Sequence, residues 1–245
     1  MNALRPLWLA LAFLTRLPVP PLGHVSAREL GASLPWFPAV GLILGAALAL
    51  AAALGPEQPL AGAAWVLILW VALSGNLHLD GLADTLDALA GGRDPAARLA
   101  LMKDPRAGPA AVSGVALVLI AKFAALAACL EAGAWAALWW VPVLGRAALV
   151  GTFLTLPYLR PEGLGRAYAE HLSRPAAHAA LALAALGTVA FGGLPGLAAV
   201  VVAALVFAAS VRLWRARLGG LTGDAAGATL EAVETAALLA WVWGL

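Results

Sequence analysis

Residues 34–54 read LPWFPAVGLILGAALALAAAL and contain no charged side chain. An α-helix of about 20 apolar residues crosses the roughly 30 Å hydrocarbon core of a bilayer, so this stretch predicts a transmembrane helix. Six further stretches repeat the pattern at residues 60–79, 110–130, 134–157, 176–192, 194–211 and 225–243. The last stretch also carries two glutamates. The sequence therefore predicts an all-α polytopic membrane bundle with six to seven transmembrane helices.

The composition of the 245-residue chain supports this assignment. Charged residues make up 11% of the chain, against about 25% in a typical soluble domain, and the mean hydropathy is +0.91. So few polar side chains exclude an ordinary soluble enzyme, a disordered protein and a basic nucleic-acid-binding domain. We expect membrane lipid but no nucleic acid as a partner. Because no linker divides the chain, we predict a single integral membrane domain over residues 1–245.

The apolar stretch 7–14 is too short to cross a bilayer. Arg5 precedes it, as in a secretory signal peptide, which is the alternative interpretation. Pro18, Pro20 and Pro21 occupy the place where a small-residue cleavage site would stand. We therefore favour a short interfacial or re-entrant helix near the amino terminus.

Basic residues lie almost entirely on one side of the predicted bundle. Thirteen of the 15 precede the first span or lie in alternate loops: Arg5, Arg16, Arg28, Arg93, Arg98, Lys103, Arg106, Arg160, Arg166, Arg174, Arg212, Arg215 and Arg217. The intervening turns carry none. Because cytoplasmic loops are enriched in Lys and Arg, we expect a multi-pass protein of the cytoplasmic (inner) membrane, with its amino terminus and active site on the cytoplasmic side.

The chain's most informative polar segment is residues 76–90, NLHLDGLADTLDALA. If the second span continues through it, Asp80, Asp84 and Asp87 lie within about 60° of one another on one helix face, with Asn76 one turn earlier. Three carboxylates on one stripe repel each other, and Mg²⁺ would offset that repulsion. A solvated face is the alternative. On this geometry His78 points away from the stripe, as a packed histidine or as a contact to substrate.

Two further groups of polar residues accompany this stripe. Lys103 and Arg106 flank Asp104 in the following loop, where they could hold a phosphate or simply be cytoplasmic basic residues. The glycine-rich turn before Asp224 leads into a helix whose first N–H groups could also bind phosphate, although Asp224 could instead be the N-cap.

Four charged residues lie inside predicted spans: Lys122, Arg146, Glu231 and Glu234. Because such residues are costly in a bilayer unless paired, we expect the two cations to find partners among the acidic residues. Asp224 and Glu231 share a helix face.

The segments together resemble the cobalamin synthase family, the adenosylcobinamide-GDP ribazoletransferases. The matching stretches, in chain order, are residues 13–20, 34–41, 78–87, 102–108, 160–165 and 218–227. The stretch HLDGLADTLD at 78–87 is the most specific. Pro105 departs from the pattern, because a serine is expected after Lys103-Asp104.

The resemblance implies a reaction and a set of site residues. The family joins adenosylcobinamide-GDP to α-ribazole or its 5′-phosphate and releases GMP, with Mg²⁺ as cofactor, and other cobalamin-assembly enzymes are possible partners. We expect Asp80, Asp84 and Asp87 to bind Mg²⁺ and to act with Asp224 in catalysis. The expected substrate-binding residues are Arg16, Asn76, His78, Lys103, Arg106, Gly223 and Glu231.

Two other function classes stay open at this point. A CDP-alcohol phosphotransferase also uses a membrane aspartate cluster, but its Asp-Gly-x-x-Ala-Arg motif is out of step with Asp80-Gly81 here. A cation-coupled transporter would suit Glu231 and Glu234, but the acidic residues cluster at one membrane face and no paired broken helices are evident.

Overall fold

The computed structural model describes residues 4–245, which form eleven α-helices. They are α1 Arg5–Leu14, α2 Ala27–Ser33, α3 Phe37–Leu54, α4 Pro59–Ser74, α5 Leu77–Gly91, α6 Pro95–Leu101, α7 Pro109–Glu131, α8 Trp135–Thr155, α9 Leu164–His171, α10 Arg174–Arg217 and α11 Gly223–Trp243. A 3₁₀ turn, Leu34–Trp36, leads into α3. The described residues contain no β-strand, so the predicted all-α class is confirmed.

Five helices are long and apolar enough to cross a membrane, namely α3, α7, α8, α10 and α11, and the bent pair α4 and α5 makes a sixth candidate. Helix α10 has 44 residues, about 66 Å of helix and roughly twice a bilayer core. Its chain reverses at Gly193, where φ is 58° and ψ is −138°. Across this reversal, a Cβ on Gly196 would lie 2.3 Å from the carbonyl oxygen of Thr188. Such a close contact requires the parts of α10 before and after Gly193 to run antiparallel, as two arms. These arms match the predicted spans 176–192 and 194–211, so the expected number of spans is confirmed.

The predicted continuation of the second span into the acidic segment is wrong. Helix α4 ends at Ser74, and Gly75 and Asn76 then take left-handed conformations with φ of 64° and 61°. Helix α5 leaves this break at 86° to α4. Because it packs across the amino-terminal ends of α7 and α11, we place α5 outside the membrane-spanning segments and α4 alone in the second span. Asn76 lies at the break itself. It is therefore not on the α5 stripe, contrary to the prediction.

Short helices gather at the same end of the bundle as α5. Helix α1 is only 10 residues long, as predicted, and it buries Leu9, Ala10 and Leu14 against its neighbours. The sequence did not indicate α2, α6 or α9, because each is too short for a clear periodic pattern. Helices α2 and α9 are in close contact: a Cβ on Gly31 would lie 2.4 Å from the His171 backbone.

A buried ion cluster joins α7, α8 and α11 in the middle of the bundle. The Lys122 Nζ lies 2.7 Å from the Oε2 atoms of both Glu231 and Glu234, and it also faces the Trp70 ring at 4.7 Å. Arg146 pairs with Glu234. The predicted pairing of the intramembrane charges is therefore confirmed, with two cations against two carboxylates.

We predict that Lys122→Met destabilises the protein by roughly 3–5 kcal/mol, because it leaves a carboxylate buried without its cation. Thermal unfolding in detergent measures this loss. Adding Glu231→Gln to that variant should recover part of the stability, since one cation then faces one carboxylate. Lys103 is the only other lysine in the sequence and is exposed. Lys103→Met should therefore leave the unfolding temperature unchanged. An unchanged unfolding temperature in Lys122→Met would contradict the role of the cluster.

Candidate active site

Close packing of α5 on α11 creates the site. A Cβ on Gly81 would lie 2.8 Å from the Asp224 carbonyl oxygen and 2.9 Å from its Cα, so only glycine allows the two backbones to approach this closely. One turn along α11, a Cβ on Gly227 would lie 3.3 Å from the Cα of His78. This contact places the acidic face of α5 beside the first turn of α11.

The first turn of α11 leaves Asp224 available for the site. The Thr222 hydroxyl accepts a hydrogen bond from the Ala225 N–H at 3.1 Å and caps the helix. The alternative in which Asp224 is the N-cap is therefore wrong. The Asp224 carboxylate instead accepts a 2.6 Å bond from Arg160 Nη2. Gly223, the first residue of α11, is exposed beside it.

Arg160 reaches Asp224 because its loop is tied to the glycine-rich turn. The Leu159 N–H donates to the Leu221 carbonyl at 2.9 Å, and the Leu221 N–H donates to the Pro157 carbonyl at 2.8 Å. Arg160 was not among the predicted site residues. The sequence indicates Arg160 only as a basic loop residue, and the one further signal is that residues 160–165 form one of the family-like segments.

A cavity of about 310 Å³ opens where these elements meet. Its polar wall contains Asp80, Asp224, Arg160 and Glu162, together with Gly223.

Four aromatic side chains also line this cavity, namely Phe13, Phe153, Tyr158 and Tyr168. His78 also lines the cavity and is buried, and neither ring nitrogen has a hydrogen-bond partner. The expectation of a packed His78 agrees with this burial.

The carboxylates at this site outnumber the cations. Burial raises the pKa of Asp84 to about 6, and the neighbouring carboxylates of Asp224 and Asp80 raise it further against the opposing effect of Arg160. An added cation would relieve this repulsion.

Asp87, the third aspartate of the predicted stripe, caps α7. Its Oδ2 accepts from the Gly108 N–H at 2.5 Å and its Oδ1 accepts from the Ala111 N–H at 2.9 Å. Both oxygens thus satisfy backbone donors at the start of a spanning helix. Asp87 therefore anchors α5 to α7.

The donor set suits a metal ion that is shared with substrate. No group of three or more His, Cys, Asp or Glu side chains converges on a metal position within residues 4–245. Mg²⁺, however, is usually held by one or two carboxylates together with substrate phosphates and water. Asp80 and Asp84, one turn apart on α5, are hard oxygen donors that fit that pattern.

Several predicted substrate-binding residues lie away from the cavity wall. Arg106 and Lys103 are exposed in the α6–α7 loop, where Arg106 forms two bonds to Asp104 at 2.9 and 2.7 Å. Arg16 lies over Gly75 at the α4–α5 break. Glu231 lies in the buried ion cluster, paired with Lys122.

Comparison with known proteins places the chain in a family. Residues 6–242 match the family described as cobalamin-5-phosphate synthase. The chain belongs to this family.

Relatives in the cobalamin-5-phosphate synthase family match this chain over almost their whole length. A protein from Stutzerimonas stutzeri is 51% identical over 236 residues, which cover 96% of each chain. One from Pseudomonas putida strain F1 is 49% identical over 98% of this chain and 99% of its own. Both are named adenosylcobinamide-GDP ribazoletransferase. No solved structure matches the chain.

We predict that Gly81→Ala abolishes most activity, because its methyl group would meet the Asp224 backbone and push α5 away from α11. Gly91→Ala is the matched control on the same helix, since its methyl group would meet only the flexible end of Leu101 at 3.2 Å. Turnover per folded molecule after size-exclusion purification measures the difference. Equal activity in the two variants would rule out the close contact as the basis of the site.

Asp87→Ala should lower stability by about 0.5–2 kcal/mol, because α7 loses the acceptors for two of its first N–H groups. Asp84→Ala should leave stability unchanged or raise it, since the Asp84 charge is unfavourable where it lies. Thermal unfolding in detergent without divalent cations compares the two. The reverse order of unfolding temperatures would show that the two aspartates have been assigned the wrong roles.

Proposed function

We propose that this protein transfers the cobinamide phosphate of adenosylcobinamide-GDP to α-ribazole or its 5′-phosphate, with release of GMP and with Mg²⁺ as cofactor. The product is adenosylcobalamin or its 5′-phosphate. The supporting observation is the convergence of Asp80, Asp224 and Arg160 at one cavity, with the Asp84 carboxylate close enough to Asp80 and Asp224 to be affected by their charges. The names of the relatives point to the same substrates.

The chemistry is displacement at a diphosphate. A ribose hydroxyl of the acceptor attacks the phosphorus that carries the cobinamide, the bond to the GMP oxygen breaks, and the hydroxyl proton is released. Such a reaction depends on alignment and charge stabilisation more than on covalent catalysis. Mg²⁺ would neutralise the phosphate oxygens and the developing charge on the GMP leaving group.

The residues have separate tasks in this proposal. Asp80 and Asp84 hold the cation together with the diphosphate. Arg160 exchanges its partner Asp224 for a phosphate oxygen, which frees Asp224 to accept a hydrogen bond from the attacking hydroxyl. Lys103 and Arg106 contact the part of the diphosphate that extends out of the cavity. Their loop is held next to the acidic face of α5 because the Gly108 N–H donates to Asp87.

We assign the site to the cytoplasmic side of the inner membrane. The end of the bundle that carries α5 is joined to the loops that contain most of the basic residues. The positive-inside rule orients those loops toward the cytoplasm.

We expect purified protein to form GMP and the cobamide product with Mg²⁺ and to form none with EDTA. Mass spectrometry of both products, from adenosylcobinamide-GDP with α-ribazole or its 5′-phosphate, makes the measurement. Asp84→Asn should lose at least about a hundredfold in turnover, because charge stabilisation at the diphosphate is lost.

Asp94→Asn is the matched control. Asp94 caps α6 away from the cavity, and asparagine caps a helix equally well, so its turnover should equal that of the wild type. Product formation in EDTA, or normal turnover in Asp84→Asn, is incompatible with the proposed use of a cation at these carboxylates.

A further inference from the structure

The hydroxyl of Tyr158 lies among the charged groups of the site. Tyr158 lines the cavity together with Arg160 and Asp224, and the charges of both act on its phenol. A Cβ on Gly223 would lie 3.9 Å from the Tyr158 Oη, so this hydroxyl is beside the first residue of α11. Arg160 and Asp224 have tasks in the proposed reaction, whereas the Tyr158 hydroxyl has none so far.

The phenol ring of Tyr158 is held in place by its neighbours. It stacks on Phe153, with ring centroids 5.8 Å apart and planes 20° apart. A Cβ on Gly165 would overlap the Cζ and Oη atoms of the phenol, so glycine lets the first turn of α9 pack directly against it. The backbone of Tyr158 pairs with Leu221 of the glycine-rich turn. A hydroxyl fixed in this way loses little conformational freedom when it binds a ligand.

This hydroxyl has a proton to donate. Within residues 4–245, no oxygen accepts a hydrogen bond from it. Burial raises the pKa of Tyr158 above its usual value, more than the positive charge of Arg160 lowers it. The hydroxyl therefore stays protonated near neutral pH and can act as a donor rather than as a base.

The charges around the cavity show what such a donor can contribute. Among the described residues that line it, three carboxylates, those of Asp80, Glu162 and Asp224, accompany a single guanidinium, that of Arg160. A phosphate oxygen that binds Arg160 lies next to the Tyr158 hydroxyl, because the two groups border the same space. A neutral hydroxyl can hydrogen-bond that oxygen although carboxylates surround it.

We propose that Tyr158 is a further catalytic residue, whose hydroxyl donates a hydrogen bond to a non-bridging oxygen of the phosphate under attack. No proton is transferred, and the bond stabilises the negative charge on that oxygen together with Arg160. This inference rests on the proposed function and adds one residue to its machinery.

The two tyrosines of the chain provide a matched pair of variants. Tyr158→Phe keeps the ring and its stack on Phe153 but removes the donor. Its kcat should fall roughly tenfold to a hundredfold, the effect of a lost hydrogen bond to a charged group, while its unfolding temperature in detergent stays unchanged. Tyr168→Phe is the control, because the Tyr168 ring meets the same Phe153 edge-on but its hydroxyl is fully buried. Its kcat should be about that of the wild type.

A second measurement does not depend on turnover. Tyr168→Phe protein produced with 3-fluorotyrosine carries the label at Tyr158 alone. Inorganic pyrophosphate with Mg²⁺ is the probe, and sodium sulfate at equal ionic strength is its control. We expect pyrophosphate to shift the ¹⁹F resonance saturably, because the labelled hydroxyl donates to a bound phosphate oxygen, and we expect no shift with sulfate.

The outcomes separate the role of Tyr158 from the reaction itself. A lower kcat confined to Tyr158→Phe, together with the saturable shift, supports the catalytic role. Wild-type turnover in Tyr158→Phe, or an unmoved resonance at saturating pyrophosphate, overturns it even if the cobamide product forms. A saturable shift in protein that forms no cobamide product would overturn the proposed function instead.

Discussion

The site depends on the contact between two backbones at Gly81. Because no side chain separates α5 from α11 there, Asp80 and Asp84 lie beside Asp224 although 140 residues separate Asp84 from Asp224 in the chain. Asp87 fixes the far end of α5 to the first turn of α7. The acidic helix is thus held at both ends by the amino termini of spanning helices, whose partial positive charge favours carboxylates nearby.

Much of the bundle and part of the site could be predicted from the sequence. Long apolar runs identify spans because the bilayer sets their length, and the i, i+4, i+7 spacing identifies the shared face of Asp80, Asp84 and Asp87. Gly75 and Asn76 are residue types that commonly end a helix in the left-handed conformation, so the break itself had a signal. The 86° angle could not be predicted, because it is set by the packing of α5 against α7 and α11. Arg160 was also missed, because its partner is set by a backbone pairing between distant loops.

Ion pairing changes the functional interpretation of the two intramembrane carboxylates of α11. As unpaired groups, Glu231 and Glu234 would favour ion coupling and transport. In the structure they pair with Lys122 and Arg146, so two positive charges balance two negative charges. The same ion pairs join the three spanning helices α7, α8 and α11. The uncompensated carboxylates of α5, Asp80 and Asp84, are at the bundle end where Asp224 also lies.

The position of the ion cluster has a consequence for biogenesis. Lys122 and Arg146 belong to α7 and α8, whereas both of their counter-ions belong to α11, which is synthesised after both. Until α11 is synthesised, neither cation has a counter-ion from this cluster. The same helix brings Asp224, so the step that neutralises the membrane interior also completes the catalytic pocket. A chain truncated before α11 would lack both the counter-ions of Lys122 and Arg146 and the Asp224 carboxylate of the site.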